Sequence, residues 1–205
     1  MLTTATDVPN LSNVNSMNAM FQQCTIANPD TTNWDTSSIN NMNRLFFFAS
    51  AFNSTLSNWD VSNVGNINQM FDNAISFVQT VDSWDVSSVT RMDFLFKNCP
   101  IAPGLSNWDV SSVTNMQSMF YGASSANPDT TNWDVSNVTN MNNMFLDSNL
   151  SEENLTAIYE NWSQLNLQQN VSFGAGTTKY NSSGQAGRDI LINTYNWNIE
   201  DGGQV

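Results

Sequence analysis

Apolar residues along this chain fall into two spacings that alternate and recur. In Leu56, Trp59 and Val61 the inward positions follow an L-x-x-L-x-L step, and Val81, Trp84, Val86 and Leu105, Trp108, Val110 repeat it. Alternation of that kind predicts a short strand with every second side chain turned inward. The spacing then changes to Val64, Ile67, Met70, Phe71 and Ala74, copied in Val113, Met116, Met119, Phe120 and Ala123. Steps of three and four predict one or two helical turns, α or 3₁₀, laid over the core. The small column Ala49, Ala74, Cys99, Ala123 predicts close passage of a neighbouring coil, where a bulky residue should cost about 1–3 kcal/mol by overpacking.

The two spacings make one unit. Trp-Asp recurs at Trp34, Trp59, Trp84, Trp108 and Trp133, at intervals of 25, 25, 24 and 25 residues, and a degenerate copy with Pro9 in the tryptophan column precedes them. Trp-Asp also marks propeller blades, but a blade takes about 40–45 residues and four strands. A unit of one strand and one short turn instead predicts a leucine-rich-repeat-like solenoid, with a parallel β-sheet on one face and short helical turns on the other. The expected division is a lead over 1–8, six coils over 9–148, and an α/β cap over 149–205. In the cap, Ser151 with Glu152 and Glu153 reads as a helix start. Leu155, Ile158, Tyr159 and Trp162 give that helix an apolar face, and Val171 and Phe173 alternate like a strand. A second helix is expected through Ala186, Ile190 and Leu191, and a last strand through Tyr195, Trp197 and Ile199, adding two rungs to the same sheet. The amino end has no comparable cap, so Leu2 to Val8 or a docked partner is expected to cover it.

Composition narrows the role. The 205 residues carry 5 Lys plus Arg against 18 Asp plus Glu, a net charge of −13, which repels nucleic acid and anionic headgroups. No histidine is present, which removes imidazole bases, Ser-His-Asp triads and His-bearing zinc sites. The first residues, MLTTATDVPNLSNV, have neither a basic start nor an apolar run, so no secretory signal is read. No stretch approaches the ~20 apolar residues of a membrane span. Cys24 and Cys99 share a column three coils apart, roughly 14 Å at strand spacing, beyond disulfide reach, and read as buried free thiols.

The stretches NWDVSSVTNMQSMF (107–120), NWDVSNVTNMNNMF (132–145) and AFNSTLSNWDVSNV (51–64) resemble the repeat of BspA-like leucine-rich-repeat surface proteins. The resemblance covers residues 9 to about 148. It implies a non-enzymatic, outward-facing protein used in adhesion or partner binding. The missing secretion signal departs from that pattern. The tail also resembles the ending of some surface proteins with such repeats, where a helix and a Trp-x-Ile-x-Asp-Gly-Gly segment close the chain.

Residues flanking the inward Trp and Val are expected to form outward ladders. The candidate ligand-binding set is Asn58, Asp60, Ser62, Asp35, Asp85, Ser87, Asn107, Asp109, Ser111, Asn132, Asp134 and Ser136. Aspartates stacked about 5 Å apart repel by roughly 0.8 kcal/mol per pair in water, so something must offset them. One reading has each accept hydrogen bonds from Ser or backbone N–H groups in the following turn. The other makes the strip a recognition surface for a glycan or protein. A Ca²⁺ bridge is disfavoured because no loop has an organised set of oxygen ligands. The Trp column and the Met17, Met42, Met92, Met116, Met141 column read as core. A coil needs only Phe46 of the run Phe46 to Phe48, so Phe47 and Phe48 are a candidate interface. The expected role is a non-enzymatic extracellular display or binding protein, foremost a virion surface or fibre component for adhesion or particle decoration, meeting a protein or glycan, with no cofactor, no metal and no membrane insertion. A bacterial surface adhesin is the alternative.

Overall fold

The computed structural model describes residues 8–100 and 104–205. The stretch before Val8, one of the expected covers of the amino end, lies outside them. Among the described residues, helices and strands are confined to the carboxy-terminal part: α1 (Glu152–Trp162), β1 (Ser172–Gly174), a 3₁₀ turn (Ser182–Gly184), α2 (Gln185–Asn193) and β2 (Asn198–Glu200). This overturns the leucine-rich-repeat-like solenoid of repeated β-strands. The Trp-Asp-Val segments are not strands, the three-and-four segments are not helices, and the only sheet among the described residues is the parallel pair β1–β2. The cap therefore does not continue a sheet running through the repeats.

Local hydrogen bonding explains why Trp-Asp-Val forms no strand. Ahead of Trp59 its own N–H closes a turn on the Leu56 carbonyl at 3.1 Å, and beyond it Val64 N–H closes another on Val61 at 2.9 Å. Two turns flank each Trp-Asp-Val, so its backbone curls and forms no ladder. Neighbouring repeats are tied here largely by side chains. Indole N–H groups of Trp59, Trp84, Trp108 and Trp133 donate to the carbonyls of Thr31, Leu56, Val81 and Leu105 at 3.3, 3.1, 3.2 and 2.9 Å. Those bonds satisfy a group that burial would otherwise penalise.

The backbone ladder runs through the segments expected to be helical. The N–H groups of Met42, Arg44, Phe46 and Phe48 donate to Asn66, Asn68, Met70 and Asp72 carbonyls in the next repeat at 2.9–3.0 Å. The intervening N–H groups of Leu45, Phe47 and Ala49 turn back to Met42, Arg44 and Phe46 at 3.0–3.2 Å. Half of the donors thus leave the repeat, which no helix permits. The geometry requires left-handed residues, and Arg44 and Phe48 both have φ of +56°. Single-residue parallel bridges join Ser16, Asn41, Asn66, Arg91, Asn115 and Asn140 in sequence along the stack.

Between these two faces lies the core. Phe21, Phe46, Phe71, Phe96, Phe120 and Phe145 stack ring on ring with centroids 5.4–5.9 Å apart. The tryptophans from Trp34 to Trp133 and the Met17, Met42, Met92, Met116, Met141 column are buried beside them. Cys99 is buried and Cys24 half-buried, and both are free thiols. Burial, and then the nearby Asp72 carboxylate, push the Cys99 thiol well above the usual range.

At the carboxy end α1 takes the place of another repeat. Ser151 caps it by accepting from Asn154 N–H at 3.2 Å, and Trp162 drops its indole N–H onto Thr130 at 3.2 Å, the bond each earlier tryptophan makes. β1 receives Met141 and Phe145 N–H groups, and β2 pairs with β1 in register Phe173↔Ile199. Tyr159, Arg188 and Asp201 lock the helices to the last turn: the phenol donates to Asp201 Oδ2 at 2.6 Å and Arg188 Nε to the same oxygen at 2.7 Å. Among the described residues no helix is long and apolar enough to cross a membrane.

Candidate functional site

Each aspartate of the ladder is first a turn former. Asp35, Asp60, Asp85 and Asp109 accept, through Oδ1, both the N–H (3.0–3.1 Å) and the hydroxyl (2.6–2.7 Å) of Ser37, Ser62, Ser87 and Ser111, and Asp134 accepts the Ser136 N–H at 3.0 Å. In the degenerate first copy Asn10 holds Ser12 in the same way, at 3.1 and 2.7 Å. An uncharged amide does the same work, so the turn requires an acceptor, not a charge. Hydrogen bonds from Ser37, Ser87 and Ser111 hold Asp35, Asp85 and Asp109 below the usual carboxylate range.

The charge itself is left to solvent. Asp30, Asp35, Asp60, Asp82, Asp85, Asp109, Asp129 and Asp134 all lie exposed in the segments flanking the tryptophans, where the sequence places no Lys or Arg. The repeats' basic residues, Arg44, Arg91 and Lys97, sit instead in the ladder segments. There Arg91 pairs with buried Asp93 at 3.0 Å. Asn58, Asn107 and Asn132 project from the acidic face, and Asn58 Nδ2 reaches back to the Thr32 carbonyl at 3.4 Å. Among the described residues no three Cys, Asp or Glu side chains converge where a metal ion could sit.

The regular face ends in a cleft of about 180 Å³ where α1 replaces the next repeat, lined by Thr131, Asn132, Trp133, Asp134, Asn161 and Leu165. It brings together two residues of the expected set, Asn132 and Asp134, with two that the repeat pattern missed, Asn161 and Leu165. The misfit at this junction also strands a hydroxyl. Thr31 donates to the Thr55 carbonyl in the next repeat at 2.7 Å, whereas the equivalent Thr130 Oγ, facing a helix, is buried without a partner. A signal for Asn161 was present: Asn-Trp at 33–34, 58–59, 107–108 and 132–133 recurs at 161–162, after a longer interval. The remaining expected residues stay in separate repeats along the face.

Phe48 is 43% exposed and meets half-buried Phe47 edge-on at 4.7 Å between ring centroids, with the Arg44 guanidinium 5.6 Å above the Phe47 ring.

Residues 2–104 and again 101–186 match the family described as "Mycoplasma protein of unknown function, DUF285". The chain belongs to the DUF285 family. The second DUF285 match passes beyond the tryptophan repeats through α1 and β1 into α2, so it takes in the cleft as well as the acidic face. No curated protein and no solved structure matches the chain.

Proposed function

We propose that this DUF285 protein is a non-enzymatic binding protein displayed outside the cell, and that its acidic Asn/Asp/Ser face meets a partner protein or glycan. The observation that carries the reading is the segregation of charge: eight exposed aspartates on one face with no cation among them, seven of which hold a turn that needs only an acceptor, while the Asp82 carboxylate holds none. A charge that the fold does not require, repeated down one side, is suited to steering and holding a partner. Identical carboxylates in successive repeats also suit an extended contact better than a single reacting centre. The finer kinship, with BspA-like surface proteins, rests on the NWDVSNVTNM segments. The bacterial genus in the family's description favours a cell-surface setting over a virion.

Two experiments test this. Brief protease treatment of intact cells should release peptides of the chain, and their absence from the released fraction with full recovery from lysed cells would place it inside. A glycan array and a panel of immobilised host proteins, read with wild type and with Asp60→Asn plus Asp85→Asn, tests the face. Asparagine keeps the turn, so binding that survives the double substitution unchanged would remove the acidic face as the site.

A further inference from the structure

The cleft at the end of the acidic face has lost its symmetry with the rest of the ladder, and its free groups are biased. Asn161 spends its Nδ2 on the Ala157 carbonyl at 2.8 Å, and its Oδ1 accepts nothing from the described residues. Asp134 commits Oδ1 to Ser136 and accepts nothing at Oδ2 from the described residues. Thr131 ties its N–H to Asp129 at 3.1 Å and keeps its hydroxyl. Leu165 and Trp133 supply the apolar part of the lining beside these acceptors. Beside the cleft Asp129, bonded to lining Thr131, and exposed Glu160, next in the chain to lining Asn161, add negative charge, and the sequence places no Lys or Arg in the segments flanking the tryptophans to neutralise it.

We infer that this cleft seats a cationic side chain of a basic protein partner, arginine in preference to lysine. This rests on the binding reading above and names the chemistry at one point of the face. A volume near 180 Å³ suits one long side chain. The guanidinium carries five donors in a planar fork, which matches acceptors on several sides, while its methylenes lie along Leu165. Lysine brings three donors on a more strongly hydrated point charge and gains less from the same acceptors. A neutral sugar could use Asn132 and Thr131 but gains nothing from the surrounding field.

The test is fluorescence anisotropy of labelled hexa-arginine and hexa-lysine peptides on the full chain, with Asp134→Asn, Leu165→Arg and Asp35→Asn as variants. Asp35 is in the same ladder at its far end and its turn is the same, so it reports the general field alone. Hexa-arginine should bind more tightly than hexa-lysine. Asp134→Asn should weaken it about fivefold or more, Asp35→Asn less than about twofold, and Leu165→Arg, which places a cation in the cleft, should abolish the preference for arginine. Equal losses in Asp35→Asn and Asp134→Asn would overturn the cleft while leaving the acidic face as a binder. Absence of binding to wild type, or displacement by an excess of neutral hexoside, would overturn the cationic assignment, with the array result above still free to stand.

Discussion

Phe48 holds a backbone conformation that suits it poorly. Its φ of +56° lies in the left-handed region, and equivalent positions in later repeats carry Asn73, Asn98, Gly122 and Asp147, residues that tolerate it. Phe48 is also the most exposed aromatic of its run. Phe48→Asn should therefore stabilise the protein by about 0.5–1 kcal/mol, read as a rise in melting temperature of about 2 °C, and a fall would show that the Phe47–Phe48 contact outweighs the strain. Asp72 is a second residue out of balance. Burial pushes its carboxyl above the usual value of 3.8, against the pull of Lys97, hydrogen bonds from Gln69 and Asn73, and Arg44. A raised carboxyl is favoured protonated in the folded state, so its ionisation costs stability as pH rises from about 3.8 through the folded value. Asp72→Asn should raise the melting temperature at pH 7, and the gain should vanish below about pH 3.8. A gain that persists unchanged into acid would assign it to packing instead.

Elements show why some of this chain was legible in its sequence and some was not. Inward positions were readable from spacing, because apolar residues mark the core whatever the backbone does between them. Backbone conformation was not. Steps of three and four arise from a helix, and they arise equally from a segment that alternates right- and left-handed residues and sends every second N–H to its neighbour. The clue that separates the two is the column Asn73, Asn98, Gly122, Asp147, which a helix does not explain. Likewise Leu56-x-x-Trp59-x-Val61 alternates as a strand does, yet Asp60 followed by Ser62 is a turn signal, and the turn prevailed. Within the site, Asn132 and Asp134 were legible as outward residues, whereas Asn161 and Leu165 belong to a helix outside the period. α1 and α2 meet at Gly187, where a Cβ would overlap the Tyr159 carbonyl oxygen. Gly187→Ala should cost about 2 kcal/mol or more and loosen the Arg188–Asp201 pair, visible as early melting of the helical circular dichroism signal. Unchanged helical melting would mean that the helices are not held by this contact.

At the scale of the whole molecule, two faces divide the tasks. One carries a backbone ladder and the repeats' basic residues Arg44, Arg91 and Lys97. The other carries indole bonds, turns and unneutralised carboxylates. Hydrogen bonds lower the values of Asp35, Asp85 and Asp109, so their contribution is full above about 3.8 and is lost as pH falls through their lower folded values. Melting temperature should decline with acid below about pH 3.8, and the triple variant Asp35→Asn, Asp85→Asn, Asp109→Asn should decline less. An identical decline would mean that these turns are not linked to folding.

Repeats are joined through the three-and-four segments and not through Trp-Asp-Val strands. Residue-resolved amide hydrogen exchange reads this out, because the N–H groups of Met42, Arg44, Phe46 and Phe48 and of Ile67, Gln69, Phe71 and Asn73 all donate between repeats, whereas those of Asp60 and Val61 donate to no backbone carbonyl among the described residues. Joining of this kind gives strong protection of the first two sets and fast exchange at Asp60 and Val61. Protection at Asp60 and Val61 with fast exchange at Arg44 and Phe46 would contradict it.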